Sequence, residues 1–168
     1  TLALVQKQAG DPKAVAALAR RQERELRAWL SGGPQARPDE RLADAIRAVA
    51  AEVDEALGVA VEVVAVGDRE LDERHRALVA AAREAILNAA RHAGEAGPVQ
   101  VFVEVRDGRT EVFVVDRGPG FDPDAVPPDR RGVRESILGR MARHGGRAAV
   151  HRRSPGTEVE LVLEHEPQ

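Results

Sequence analysis

Apolar positions along the chain alternate between two periods, and the changes of period divide it into elements. Leu42, Ile46, Val49, Val53 and Leu57 recur at three- and four-residue spacing. This predicts an amphipathic helix over 39–57 with those side chains inward. The β-branched run over 59–66 predicts a strand, and 71–92 a long helix. From 99 to 106, Val99, Val101, Val103 and Val105 alternate with Gln100, Phe102, Glu104 and Arg106, the pattern of a half-buried strand. Asp107-Gly108 marks a hairpin turn, and 110–116 returns as a second strand. Residues 117–131, rich in Gly, Pro and Asp, predict a long loop. A helix over 132–144 ends at Gly145-Gly146, and strands over 147–153 and 157–163 close the chain. The order predicts an α/β (α+β) two-layer sandwich: a mixed, mostly antiparallel sheet covered by helices on one face.

Ahead of this unit, Leu2, Leu4, Val5 and Ala9 read as the tail of a helix ended by Gly10-Asp11-Pro12. Val15, Leu18, Ala19, Gln22, Leu26, Trp29 and Leu30 then place an apolar stripe on one face of a second helix. This helical hairpin, 1–30, has nothing of its own to bury that stripe. It is expected to pack on a second copy of itself, or on the following domain. Residues 31–38 read as a linker before a domain at 39–168. Because the first residue is Thr, inside an apolar periodic pattern, the chain reads as a piece of something larger.

Composition narrows the chemistry. The 168 residues contain no cysteine, which excludes disulfides and thiolate sites. A net charge of −3 makes no electrostatic case for nucleic acid or an anionic membrane. Aromatic residues are 2% of the chain, so the core must be built from Leu, Val, Ile and Ala. No apolar run approaches the length of a membrane span, and no signal segment opens the chain.

The long helix carries an unusual polar stripe. At about 100° per residue, Leu71, Leu78, Ala82, Ala85, Ile86, Ala89 and Ala90 share the arc facing the sheet. Glu84, Asn88, Arg91 and His92 share the neighbouring arc. Asn and His have no helix-propensity reason to be there, although a solvated face with a chance Asn would look similar. After the second strand of the hairpin comes Asp116-Arg117-Gly118-Pro119-Gly120-Phe121. It sets a carboxylate at a strand end and two glycines where backbone can approach a ligand closely. Gly132 is expected to open the next helix, offering free N–H groups to phosphates. Gly156-Thr157 enters the last strand. Each signal alone also fits an ordinary turn or solvated face; their order and separation together are specific.

That pattern resembles the nucleotide-binding domain of the gyrase, chaperone, histidine-kinase and mismatch-repair (GHKL) ATPase superfamily. Arg83-Glu84-Ala85-Ile86-Leu87-Asn88-Ala89-Ala90-Arg91-His92-Ala93 resembles its N box, and 116–121 its first glycine box. Residues 132–141 with Gly145-Gly146 resemble the second glycine box, and Gly156-Thr157-Glu158-Val159 the last. The likeness covers 39–164. The hairpin 1–30 is similar to the end of the dimerisation and phosphoacceptor domain of sensor histidine kinases, in the subfamily related to nitrate and desaturase-system sensors. The second glycine box departs from the pattern: it reads Arg131-Gly132-Val133 where many relatives have two glycines.

The resemblance implies ATP and Mg²⁺ as ligands. Asn88 would coordinate Mg²⁺, and Glu84 would sit by the γ-phosphate or the metal's waters as the catalytic carboxylate. Arg91 and His92 would approach the phosphates, and Asp116 would accept from the adenine amino group. Gly118 and Gly120 would let the loop hug the base, Gly132 and Val133 would bring the lid's end to the phosphates, and Thr157 would support Asp116. The implied protein is a cytoplasmic fragment of a histidine kinase, membrane-anchored or not, that dimerises through its N-terminal helices. It would phosphorylate a histidine upstream of Thr1 and pass the phosphoryl group to a response regulator. His75 and His144 read as structural, and His151 and His165 have no partner in view. An anti-sigma factor serine kinase of the same fold, or an interaction module without nucleotide, are the rival readings.

Overall fold

A computed structural model describes residues 40–93, 96–119 and 128–166, with side chains at all of these except 93 and 128–134. The expected helical hairpin 1–30 and linker 31–38 lie outside the described residues. Helix α1 (Leu42–Leu57) is followed by strand β1 (Val61–Val66) and helix α2 (Glu73–Ala93). The hairpin β2 (Val99–Arg106) and β3 (Arg109–Asp116) comes next. Helix α3 (Pro128–Arg143) and the pair β4 (Gly146–Arg152) and β5 (Thr157–Glu164) complete the unit. The sheet order is β1-β2-β3-β5-β4, with β1 parallel to β2 and every other pairing antiparallel. This is the expected mixed sheet.

One sheet face is buried and the other is open. Val99, Val101 and Val103 of β2 and Val112 and Val114 of β3 are closed to solvent, while Phe102 of β2 and its β1 neighbour Val64 are exposed. The buried face meets α2, whose inner surface is largely alanine: Ala81, Ala82, Ala85, Ala89 and Ala90. Small side chains let a helix lie close on a sheet that has almost no aromatic residues to space it. Leu42, Ile46 and Val53 of α1, Leu78 and Ile86 of α2, Ile137 and Met141 of α3, and Leu161 and Leu163 of β5 also belong to the core. Truncating one such side chain to Ala costs about 2–5 kcal/mol through lost burial and a residual cavity.

All three helices start at other residues than the periodicity expects, α1 at Leu42 rather than at 39. The expected 71–92 helix starts at Glu73, because the Asp72 carboxylate accepts the His75 N–H at 2.8 Å and caps the first turn. Leu71 therefore precedes the helix, partly buried against the core. Leu57, expected inward, is 40% exposed. It ends α1 beside Gly58, whose φ of 66° turns the chain away from the core. Helix α3 begins at Pro128, ahead of the expected Gly132. Proline suits a first helical position, since its missing N–H has no helical partner to lose. Gly132 thus sits inside the helix rather than at its opening. No described helix is long and apolar enough to cross a membrane.

Candidate functional site

The β3–β5 pairing decides where the sequence signals meet. Asp116, last in β3, lies directly across from Thr157, first in β5. The turns before β5 and after β3 therefore emerge at the same end of the sheet. Gly118 packs there against the C-terminus of α2: a Cβ on Gly118 would overlap the His92 carbonyl oxygen and come within 3.1 Å of the Asp116 Oδ1 atom. Gly156, with φ of 101°, packs on the Asp116 carbonyl, where a Cβ could not fit. Three separate stretches thus close around one carboxylate.

Asp116 is only 7% exposed. Its Oδ1 accepts the Gly118 N–H at 2.9 Å. Burial pushes its carboxyl above the ordinary carboxylate range, partly offset by the N–H groups of Gly118 and Thr157 and by attraction to His92. A buried carboxylate with both local donors on the backbone keeps acceptor capacity for one more N–H.

Glu84, Asn88 and His92 lie along the C-terminal half of α2, half-buried, with Arg91 exposed. Their arc is not a solvated face. Ala77 and Ala81, earlier on the same arc, are buried. Helix α3 runs antiparallel against it: Arg74 Nε donates to the His144 carbonyl at 2.9 Å, and Ser136 donates to Glu84 Oε2 at 3.0 Å. Arg140 also approaches Glu84 Oε2, at 3.9 Å. Sequence reasoning missed Ser136 and Arg140, because only the antiparallel register of α2 and α3 brings them to Glu84.

The structure therefore brings Asp116, Gly118, His92 and Thr157 together, and sets Glu84 and Asn88 on the helix that ends there. Gly120 and the Val133 side chain lie outside the described residues. Among the described residues no group of three or more acidic or histidine side chains could hold a metal unaided. A lone amide such as Asn88 suits a hard cation that arrives carrying phosphate oxygens, since Mg²⁺ typically takes only one or two protein oxygens.

His75 reads as structural and is so placed, and His151 and His165, expected without partners, have them. His75 is fully buried, with Nδ1 against Asp72 Oδ1 at 2.6 Å and Nε2 against the Thr110 hydroxyl at 3.3 Å. His165 Nε2 meets the same hydroxyl at 3.0 Å, and His151 Nε2 meets Glu160 at 3.2 Å. His165 also lines a cavity of about 200 Å³ with Asp68, Arg69 and Asp107, at the opposite end of the sheet from Asp116.

The fold is shared with solved kinase structures. A mycobacterial sensor histidine kinase, MprB, is similar with a TM-score of 0.57 at 21% identity, over 77% of this chain and 99% of that one. The histidine kinase domain of a blue-light activated kinase from Erythrobacter litoralis gives 0.60 at 22%, over 77% of this chain and 65% of that one. Full-length ShkA, solved with AMPPNP, gives 0.59 at 21%, over 80% of this chain but only 32% of its own. At such identities the likeness is one of fold. No curated protein matches the sequence. Residues 73–167, which hold every described residue of the site, match the family of histidine kinase-, DNA gyrase B- and HSP90-like ATPases, and the chain belongs to it.

Proposed function

We propose that residues 39–168 are the ATP-binding catalytic domain of a bacterial two-component sensor histidine kinase, of the subfamily related to nitrate and desaturase-system sensors. Residues 1–30 are the end of its dimerisation helices and 31–38 the linker. The parent works as a homodimer on the cytoplasmic side. It phosphorylates a histidine upstream of this chain, and a response regulator receives the phosphoryl group.

Asp116 carries the reading. Among the described residues two backbone N–H groups donate to its buried carboxylate, which leaves acceptor capacity for one external N–H, and glycines at 118 and 156 let backbone close around it. An adenine amino group supplies that donor; guanine, with a carbonyl oxygen in its place, does not. Thr157 holds Asp116 from the neighbouring strand. Asn88 holds Mg²⁺ on the phosphates, while Arg91 and His92 balance their charge. Gly118 and Gly120 let the loop follow the base, and Gly132 and Val133 meet the phosphates from α3. Bound Mg²⁺ supplies charge neutralisation for phosphoryl transfer. The protein's part is to position the reactants and exclude water, which is most of what this chemistry asks. The acceptor, a neutral imidazole, is already nucleophilic, so Glu84 serves at the metal's waters rather than as a strong base.

Titration with a fluorescent ATP analogue and Mg²⁺ tests this. A hydrogen bond to a charged acceptor is worth about 1.5–3 kcal/mol, so Asp116→Asn should weaken binding by roughly 10- to 150-fold. Equal affinity in the variant removes the adenine role. ATP should bind without labelling this chain, and stable radiolabel from γ-labelled ATP on the chain would overturn the upstream acceptor.

A further inference from the structure

The two oxygens of the Glu84 carboxylate have different surroundings. Oε2 takes the Ser136 hydroxyl at 3.0 Å and faces Arg140 Nη2 at 3.9 Å. Oε1 has no hydrogen-bond or ion-pair partner among the described residues. Both partners come from α3, one turn apart on the face packed against α2. Glu84 is itself one turn before Asn88 on the same arc of α2.

A carboxylate with both oxygens free samples many orientations of its terminal torsion, which is broad and roughly two-fold for Glu. One oxygen tied to a neighbouring helix removes that freedom and leaves the other as a directed acceptor. Arg140 Nε is buried without a hydrogen-bond partner among the described residues.

We infer that Ser136 is a positioning residue for the metal–triphosphate site, acting through Glu84: α3 holds Oε2 so that Oε1 is presented to a water of the nucleotide-bound Mg²⁺. The inference rests on the reading of the site as one for Mg²⁺-ATP and adds a residue outside the motifs that suggested it. It also gives α3 a role beyond packing, because any movement of that helix against α2 alters the aim of Glu84.

The intact chain tests this without a phosphoacceptor. Affinity for a fluorescent ATP analogue is measured with and without Mg²⁺ in the wild type, Ser136→Ala, Ser136→Thr and Glu84→Gln. The ratio of the two affinities reads the coupling to the metal. Ser136→Ala should lower that ratio by roughly 10-fold, the scale at which outer partners of metal sites act, and leave Mg²⁺-free affinity unchanged. Ser136→Thr keeps the hydroxyl and should restore the ratio, while Glu84→Gln should fall at least as far as Ser136→Ala. A wild-type ratio in Ser136→Ala, with Glu84→Gln reduced, overturns the inference. So does an equal loss of Mg²⁺-free affinity and melting temperature in Ser136→Ala, which would mark a packing contact only. No nucleotide affinity in the wild type would instead overturn the site reading itself, and the inference with it.

Discussion

Asp116 and His75 are both buried titratable groups, and burial moves them in opposite senses. Burial raises the Asp116 carboxyl above its ordinary 3.8, against the pull of Gly118, Thr157 and His92. The folded state then binds its proton more tightly than the unfolded state. Ionised Asp116 therefore destabilises the fold as pH rises from about 3.8 through the folded value. Asp116→Asn should consequently leave the nucleotide-free protein within about 1 kcal/mol of wild type, by thermal melting at neutral pH, although binding is weakened. A large drop in stability would show that the carboxylate serves the fold instead. Burial depresses the His75 imidazole below 6.5, outweighing Asp72, which favours the charged form. Its neutral form contributes stability that is present above 6.5 and is lost as pH falls toward the folded value. Melting temperature should fall between pH 7.5 and 5.5, and His75→Gln should flatten that slope; an unchanged slope would remove His75 as its source.

At the scale of elements, the helix and strand periods were legible because burial on one face imposes them. Strand β2 runs over the expected 99–106, and the β2–β3 turn falls at Asp107-Gly108. Helix ends were less legible, because several are capped by residues distant in sequence. The first turn of α1 has no cap of its own at Arg41. Asp68, from beyond β1, accepts the Ala43 N–H at 3.0 Å. Arg74 of α2 satisfies the carbonyls at the end of α3 through His144 and Gly145. The junction at Asp116 is likewise made by close backbone approach, which the sequence signals only as glycine. Gly118→Ala and Gly156→Ala should each destabilise by about 1–3 kcal/mol in denaturant unfolding, since neither Cβ has space. The alanine at 156 also meets a positive φ, so a cost near zero at either position would contradict the packing. The open edge is a further consequence of element order. Val64 and Val66 of edge strand β1 are 52% and 60% exposed, and Val66→Lys should leave the melting temperature unchanged while raising solubility.

For the molecule as a whole, ligand occupancy and stability are linked. If the site at the end of α2 holds Mg²⁺-ATP, ligand at 100 times its Kd stabilises the fold by about 2.7 kcal/mol. Calorimetry should then show a melting temperature several degrees higher for wild type, and a smaller shift for Asp116→Asn, whose roughly 10- to 150-fold weaker binding leaves about 0.3–1.4 kcal/mol at the same ligand concentration; equal shifts would place the ligand elsewhere. The alternation of periods, the glycines, and the order Glu84, Asn88, Asp116, Thr157 were all readable along the chain, because each depends on local geometry or on residue type. The joining of Asp116 to Thr157 and His92, the hold of Ser136 on Glu84, and the burial of His75 with Thr110 and His165 were decided by the tertiary structure alone. Those contacts join residues far apart in sequence, and their geometry follows from strand register and helix direction, which no single segment encodes.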